Sequence, residues 1–415
     1  MFKLKLHWQV LIAMVVGCIL GTTFKSFDSI SSINPIYQMI TLFGTLFVRL
    51  LKMIMVPLIF TSIILGVSSI GSGKKVGRIG IKTLIYYLCT SLLAIITGLL
   101  LSNLIKPGVG ANIIENTNFD PSRIQTPGST LDILIRMIPT NPFQALASGD
   151  MLGIIFFAIF FGVALNMIKD DKSKLLKNII DSIFTVIMKV TQIIISFAPI
   201  GVAGLMTKTV YTSGLGIFVN LAKYMLTIIL GLSIHLFFIL PLIIFLFVRV
   251  NPIVHFKAMA SAMLTAFSTS SSSATLPVTM KCVRENAGVS NEISSFVLPM
   301  GATVNMDGTA LYECAGVLFI AQVLGVSMGL DQQLVIVITA LLASIGAAGI
   351  PSAGLVMIFI VTSAVGLTDP QVGIIVGAML AIDRPLDMFR TMVNVTSDSI
   401  GSAVIAKSEG EELYS

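Results

Sequence analysis

Charge is what this chain has least of: Asp, Glu, Lys and Arg together make up 11% of its 415 residues. A soluble domain carries roughly 25%. Here 55% of residues are hydrophobic and the mean hydropathy is +0.96. The shortage excludes a water-soluble globular fold and marks an integral membrane protein. Histidine is scarcer still, with three in the chain: His7, His235 and His255. All three are expected to lie away from the core of the bundle. The serines then lack a base, which argues against an intramembrane serine protease. No GxGD motif is present for an aspartyl protease, so the chain is not read as an enzyme. The four cysteines, Cys18, Cys89, Cys282 and Cys314, show neither metal nor redox spacing and are expected as buried packing thiols. The net charge of +6 does not imply nucleic-acid binding. Lysines and arginines on cytoplasmic loops produce the same balance in a membrane protein.

What is present is apolar sequence in long runs. A membrane span needs about 20 apolar residues. Candidates fall near 8–24, 36–70, 83–105, 131–168, 176–206, 216–248, 294–325 and 371–406. The second, fourth and sixth exceed a perpendicular helix and should tilt or break. The start, MFKLKLHWQVLIAMVVGCIL, has the pattern of a signal peptide. Recurrence of apolar runs down the chain favours an uncleaved first span. The loops at 71–82, 169–177, 249–257 and 281–285 are rich in Lys and Arg. Those near 25–33, 106–130, 207–215, 326–332 and 366–370 are poor in them. Basic loops inside gives eight spans with both termini cytoplasmic.

Two further apolar segments do not fit as spans. Residues 258–280 have basic loops at both ends, and residues 333–365 have charge-poor loops at both ends. Each must enter and leave on one side, as a re-entrant hairpin. Their centres are rich in small residues, STSSSSATLP (268–277) and ASIGAAGIPSAG (343–354). Hairpin, span, hairpin, span reads as an inverted repeat, of the kind that forms a midplane site in secondary transporters.

Polar residues concentrate where lipid should be. NMDGT (305–309) falls inside the seventh span, and a helix should unwind there. Freed carbonyls beside Asp307 suit a hard cation, although a satisfied polar kink fits the same letters. In the eighth span, Asp383, Asp387, Arg390, Thr391, Asn394 and Asp398 fall on about a third of the helix circumference. Such a face looks into protein, not lipid. Arg390 offers a planar fork for a carboxylate, and Asp387 could hold an ammonium group. An Asp–Arg network that merely neutralises itself is the other reading. The serine run 270–273 is either a linker or an anion-binding hairpin tip. Tyr87, Thr90 and Ser91 of the third span could equally bond back to their own helix.

These motifs resemble those of the dicarboxylate/amino acid:cation symporters, a family that includes archaeal aspartate transporters and mammalian excitatory amino acid transporters. RLLKMIMVP (49–57), PTNPF (139–143), SSSSATLPVTM (270–280), GATVNMDGTALYE (301–313) and DMFRTMVNVTSD (387–398) occur in the family's order and spacing. The resemblance covers nearly the whole chain. It implies an all-α polytopic fold of eight transmembrane helices and two re-entrant hairpins, at 253–292 and 330–366, in a plasma-membrane homotrimer. It divides the chain into scaffold (1–70 and 106–206) and transport domain (71–105 and 207–415). The transport domain would move as an elevator, gated by the second hairpin.

The resemblance also implies the sites. Substrate, L-aspartate or L-glutamate, would be held by Arg390, Asp387, Thr391, Asn394 and Thr309. Ser271 and Ser272 of the first hairpin and Ile350 and Gly354 of the second would complete the pocket. One sodium would sit on Gly301, Asn305, Asn394 and Asp398. A second would sit on Tyr87, Thr90, Ser91, Asn305 and Asp307. A third would sit on carbonyls of Thr303, Met306, Ser344, Ile345 and Ala347. Sodium is cargo here, and no cofactor is expected. Glu313 matches a glutamate that mammalian relatives use for proton and potassium coupling. The family's additional arginine is missing, since its two usual positions hold Ser270 and Met388; Arg384 is the nearest substitute. The alternatives are a sodium- or proton-coupled C4-dicarboxylate symporter and, in a different class, an ion channel.

Overall fold

Long apolar runs without β-alternation should fold as helices, because a helix satisfies every backbone polar group within its own segment. The computed structural model is helical, and no strand occurs among the described residues. It describes residues 6–27, 34–68, 74–111, 135, 138–168, 170–345, 353–367 and 370–414. Helix α1 is Leu6–Ser26, α2 is Asn34–Ser68 and α3 is Lys74–Ile105. The fourth predicted span starts outside the described residues and contains two helices, α4 (Pro142–Ser148) and α5 (Met151–Met167). Asn141 caps α4 by accepting from Phe143 and Gln144 N–H, so the motif PTNPF specifies a helix start, and Gly149 closes the helix in the left-handed region.

The fifth predicted span divides at Phe197 into α6 (Asp171–Ser196) and α7 (Ala198–Ser213). Helix α7 continues through most of the stretch 207–215, which was expected to be a loop. Pro199 at its first turn breaks the preceding helix without costing the new one a hydrogen bond. The sixth span is α8 (Ile217–Ile234), one π-turn (His235–Ile239) and α9 (Leu240–Phe247). Pro241 has no N–H to give Phe237, and the helix widens there, with Leu240 N–H donating to His235 O instead. The second span, expected to tilt or break, is one helix of 35 residues that contains Pro57.

Helices α10 (Pro252–Thr269) and α11 (Ser272–Glu285) pack on each other across a turn at Ser270, whose φ is +52°. Ser271 caps α11 by accepting from Ala274 N–H. The predicted break in the seventh span falls between α12 (Asn291–Val304) and α13 (Asp307–Val323). Helices α14 (Leu330–Ile345) and α15 (Ala353–Ala364) flank residues 346–352, so the second predicted hairpin tip, with Ala347 and Ile350, lies outside the described residues. The last helix, α16 (Pro370–Ser408), is continuous over 39 residues despite Pro385.

Five helical stretches among the described residues are long and apolar enough to cross a bilayer: Trp8–Ser26, Pro35–Ser68, Arg78–Ile105, Asp171–Ser196 and Phe218–Phe247. Many of their large apolar side chains are exposed, as a lipid-facing surface requires. The helices sort by what they pack against. Helices α1, α2, α5, α6 and α7 form one set, with α1 on α7 and α2 on α5, α6 and α7. Helices α3, α8 and α10–α16 form another, in which α13 and α16 are central. Helix α13 is buried along nearly its whole length, which no lipid-facing span could be.

The C-terminal end of α16 is tied to α3. Glu409 accepts from Lys82 Nζ at 2.6 Å and pairs with Arg78. Hydrogen bonds from Lys82 and Arg78 hold its carboxyl below the usual glutamate range. A depressed carboxylate stabilises the fold above its unfolded pKa, and the gain disappears as pH falls through its folded value. Glu409→Gln should therefore lower the melting temperature at pH 7, by the small amount typical of exposed ion pairs. Variant and parent should converge in acid; a difference that persists there would rule out the ion pair as its cause.

Candidate functional site

The site begins at a backbone break. Val304 ends α12, Asn305 and Met306 leave helical geometry, and Asp307 starts α13. A new helix N-terminus has N–H groups with no partner in the helix. Here the Gly308 N–H donates to Asn394 Oδ1 of α16 at 2.8 Å, and Asn394 Nδ2 donates to Thr309 Oγ1 at 3.4 Å. Any side chain at Gly308 would crowd the α16 backbone. A Cβ there would lie 3.0 Å from Arg390 O and 3.1 Å from Arg390 Cα.

Around the break, the predicted sodium ligands converge. Asn305 Nδ2 donates to Asp398 Oδ1 at 2.9 Å and to Ser397 Oγ at 3.0 Å. Gly301 packs so closely that a Cβ would stand 2.5 Å from Asp398 Oδ1 and 2.6 Å from Tyr87 Oη. On the third helix, Thr90 Oγ1 bonds back to Tyr86 O and Tyr87 O, and also reaches Asn305 Oδ1 at 3.4 Å. Ser91 Oγ donates to Asp307 Oδ1 at 2.7 Å. The hydroxyls of α3 thus do both things the sequence allowed. Tyr87 is buried and donates to Val297 O. Asp307 and Asp398 are 0% and 2% exposed, and no lysine or arginine pairs with either among the described residues. Two buried carboxylates without a fixed cation are expensive in a membrane, and a bound cation would offset that cost.

The third predicted ion set is less assembled. Thr303 and Ile345 line one cavity of about 370 Å³ between α2, α6, α12 and α14. Met306 is buried at the break, and Ser344 Oγ donates to Leu341 O.

Arg390 is 1% exposed and held on three sides. Its Nη2 donates to Asp387 Oδ1 at 2.8 Å, its Nη1 lies 3.0 Å from Asp383 Oδ1, and its Cζ sits 3.8 Å over the Tyr312 ring. Arg384 Nη1 approaches the other oxygen of Asp387 at 3.5 Å. Gly354 presses against the same guanidinium, and a Cβ there would be 3.4 Å from Arg390 Cζ. The Arg390 Nε is buried and has no hydrogen-bond partner among the described residues; neither do both oxygens of Asp383 and of Glu313. Thr391 Oγ1 bonds back to Asp387 O at 2.8 Å. Ser271 and Ser272 are buried at the turn between α10 and α11, two helices that both pack on α16.

Sequence reasoning missed several participants. Asp383 was placed on the polar face but given no role, and it pairs with Arg390. Tyr312 was given no role, yet its ring is the platform for the guanidinium. The expectation that the histidines lie away from the core is corrected. His235 Nε2 is 3.0 Å from Asp307 Oδ2, and both residues are 0% exposed. His255 is buried as well, between Ser399 Oγ and Tyr414 Oη. The side chain of His7 lies outside the described residues. The cysteines are corrected in part, since Cys282 and Cys314 are buried but Cys89 is exposed and Cys18 half-buried. An apolar helix wheel shows neither an i-to-distant-j bond nor a stacking partner, so only Asp383 had a local signal.

Known proteins share this chain's pattern. A family model described as the sodium:dicarboxylate symporter family matches residues 6–408. Excitatory amino acid transporter 3 of Homo sapiens is 37% identical over 465 residues, covering 99% of this chain and 87% of that protein. The proton/sodium-glutamate symport protein of Geobacillus stearothermophilus is 33% identical over 99% of this chain and 96% of its own. The proton/glutamate-aspartate symporter of Bacillus subtilis is 36% identical over 98% of this chain and 95% of its own.

Proposed function

Because this chain belongs to the sodium:dicarboxylate symporter family, we propose that it is a secondary active symporter importing L-aspartate or L-glutamate on the sodium gradient. One observation carries the substrate class: a buried Arg390 fork, stacked on Tyr312 and flanked by Asp387, with Nε unengaged. An acidic amino acid supplies what each group needs. Its side-chain carboxylate takes the guanidinium, and its ammonium takes Asp387. Asn394 and Thr309, already bonded to each other, stand at the α13 N-terminus, where backbone N–H groups and the helix dipole favour a carboxylate. Thr391, Gly354, Ser271 and Ser272 close the pocket, and Ile350 is assigned to it from its place in the family's motif.

Sodium is the cargo that drives uptake. We assign one ion to Gly301, Asn305, Asn394 and Asp398, and another to Tyr87, Thr90, Ser91, Asn305 and Asp307. A third is assigned to Thr303, Met306, Ser344, Ile345 and Ala347. The donors are hard oxygens, which suits an alkali cation. Substrate and ions would enter a transport domain of residues 71–105 and 207–415, moving past a scaffold of residues 1–70 and 106–206. Eight spans, two re-entrant hairpins and a plasma-membrane homotrimer complete the elevator reading, which the two packing sets of helices support.

A C4-dicarboxylate carrier is the nearest rival, and Asp387 weighs against it, because an amino acid brings an ammonium group to that carboxylate where a dicarboxylate brings only apolar carbon or a second negative charge. Proteoliposome uptake of labelled aspartate, glutamate, serine and succinate under sodium, proton and potassium gradients tests the choice. Sodium-driven aspartate or glutamate uptake is expected; succinate transport without aspartate transport would sink the proposal. Glu313 is buried with both oxygens unbonded, as a carboxyl that loads a proton or a cation would be. In the same assay, Glu313→Gln should keep sodium dependence and lose any response to internal potassium and to the proton gradient. An unchanged response to both would remove Glu313 from coupling.

A further inference from the structure

Asp307 is gripped at both oxygens, and only one grip comes from a residue assigned to sodium. Ser91 Oγ donates to Oδ1 at 2.7 Å, and His235 Nε2 stands 3.0 Å from Oδ2. His235 and Asp307 are both 0% exposed. The imidazole belongs to a different helix from any ligand of this ion. It stands at the start of the π-turn His235–Ile239, where the wide turn accepts Leu240 N–H at His235 O. A single π-turn within an α-helix is a common device for aiming a functional side chain. Here Pro241 enforces it, and the helix on either side continues.

The tautomer follows from the partners. A carboxylate oxygen accepts only, so the proton facing Asp307 is on Nε2. Nδ1 is buried with no hydrogen-bond partner among the described residues, so a proton there would be stranded. The ring therefore presents a donor to Asp307 from its Nε2. A lysine in its place would repel sodium from Asp307; a leucine would leave Oδ2 unanchored.

We propose that His235 is the positioning residue for the Asp307 sodium site: its Nε2–H fixes Oδ2 and thereby aims the free lone pairs of the carboxylate at the ion. Groups that orient a metal-binding carboxylate from behind commonly set its affinity. The inference rests on the assignment of sodium to Tyr87, Thr90, Ser91, Asn305 and Asp307. It adds a residue that offers the ion no atom of its own.

The test uses purified full-length protein and sodium chloride, balanced with choline chloride, without substrate. Thermal unfolding is followed against sodium concentration, and sodium-driven aspartate uptake is measured in parallel. His235→Leu should raise the sodium concentration for half-maximal stabilisation by about tenfold, the lower end of effects from such supporting groups. Uptake should show the same shift in half-saturating sodium, with maximal velocity at saturating sodium kept within about twofold. His235→Gln can place an amide N–H near the Nε2 position and should restore most of the affinity, whereas His235→Asn is too short and should not. Equal behaviour of Gln and Asn, or a Leu variant with the parent's sodium midpoint, would overturn the proposal. If the Leu variant does not fold, the Gln–Asn pair decides. Asp307→Asn separates the two levels. A shifted midpoint in Asp307→Asn with none in the His235 variants sinks the positioning role alone, and no shift in Asp307→Asn sinks the ion assignment with it.

Discussion

Arg390→Cys is expected to abolish high-affinity aspartate and glutamate uptake and to open the pocket to small neutral amino acids. The guanidinium is the fully buried cation of the pocket, paired with Asp387 and Asp383. Removing one member of a buried, hydrogen-bonded charge pair costs about 2–5 kcal/mol. At about 1.4 kcal/mol per tenfold, the apparent affinity for an acidic substrate should fall on the order of a hundred- to a thousandfold. Cysteine also leaves room beside Gly354 and the Tyr312 ring, both of which lie against the guanidinium in the parent. Serine or alanine, which bring an ammonium for Asp387 and no second carboxylate, should then compete in uptake. The variant strands Asp383, so part of any loss could be structural; Arg390→Cys combined with Asp383→Asn should recover protein yield without recovering aspartate affinity. Unchanged aspartate affinity in Arg390→Cys would refute the clamp.

The second large effect is expected from Asp398→Asn. Asp398 is 2% exposed, and its one hydrogen bond among the described residues comes from Asn305 Nδ2, so no fixed cation among those residues neutralises it. A sodium ion shared with Asn305, Asn394 and the Gly301 carbonyl would do so. Asparagine keeps the size and one oxygen but loses the charge. Charge-assisted contacts contribute about 1.5–3 kcal/mol, so half-saturating sodium should rise on the order of ten- to a hundredfold. Aspartate affinity measured at saturating sodium should change far less. A half-saturating sodium concentration that does not move would mean that Asp398 is not a ligand. Asp307 differs in kind. Ser91 and His235 both donate to its oxygens, so an asparagine there would also turn an amide N–H toward a donor.

The helical class, the number of apolar runs, the break at Asn305–Met306 and the polar face of the last helix were all legible in the sequence, because each depends on local chemistry. Lipid admits only a backbone that bonds within itself. Asn, Asp and Gly in succession do not favour helix, and a wheel collects residues by angle alone. The same locality explains the misses. Helix boundaries at Phe197 and within 135–151 depend on a capping Asn141 and on prolines whose effect is decided by what packs nearby. Ser91 and Thr90 could bond to their own helix or to a partner, and only the approach of α13 to α3 selects between them.

What the sequence alone determined is the material of the site: a buried arginine with aspartates three and seven positions before it, and an Asn–Asp pair at a helix break, with a matching family order of motifs. Only the tertiary structure decided who pairs with whom. It set Arg390 on the Tyr312 ring between Asp383 and Asp387, brought Asn305 to Asp398, and placed His235 behind Asp307. These contacts join residues far apart in the chain. Periodicity can state which face of a helix a residue occupies, but the partner across the gap depends on how several helices pack at once.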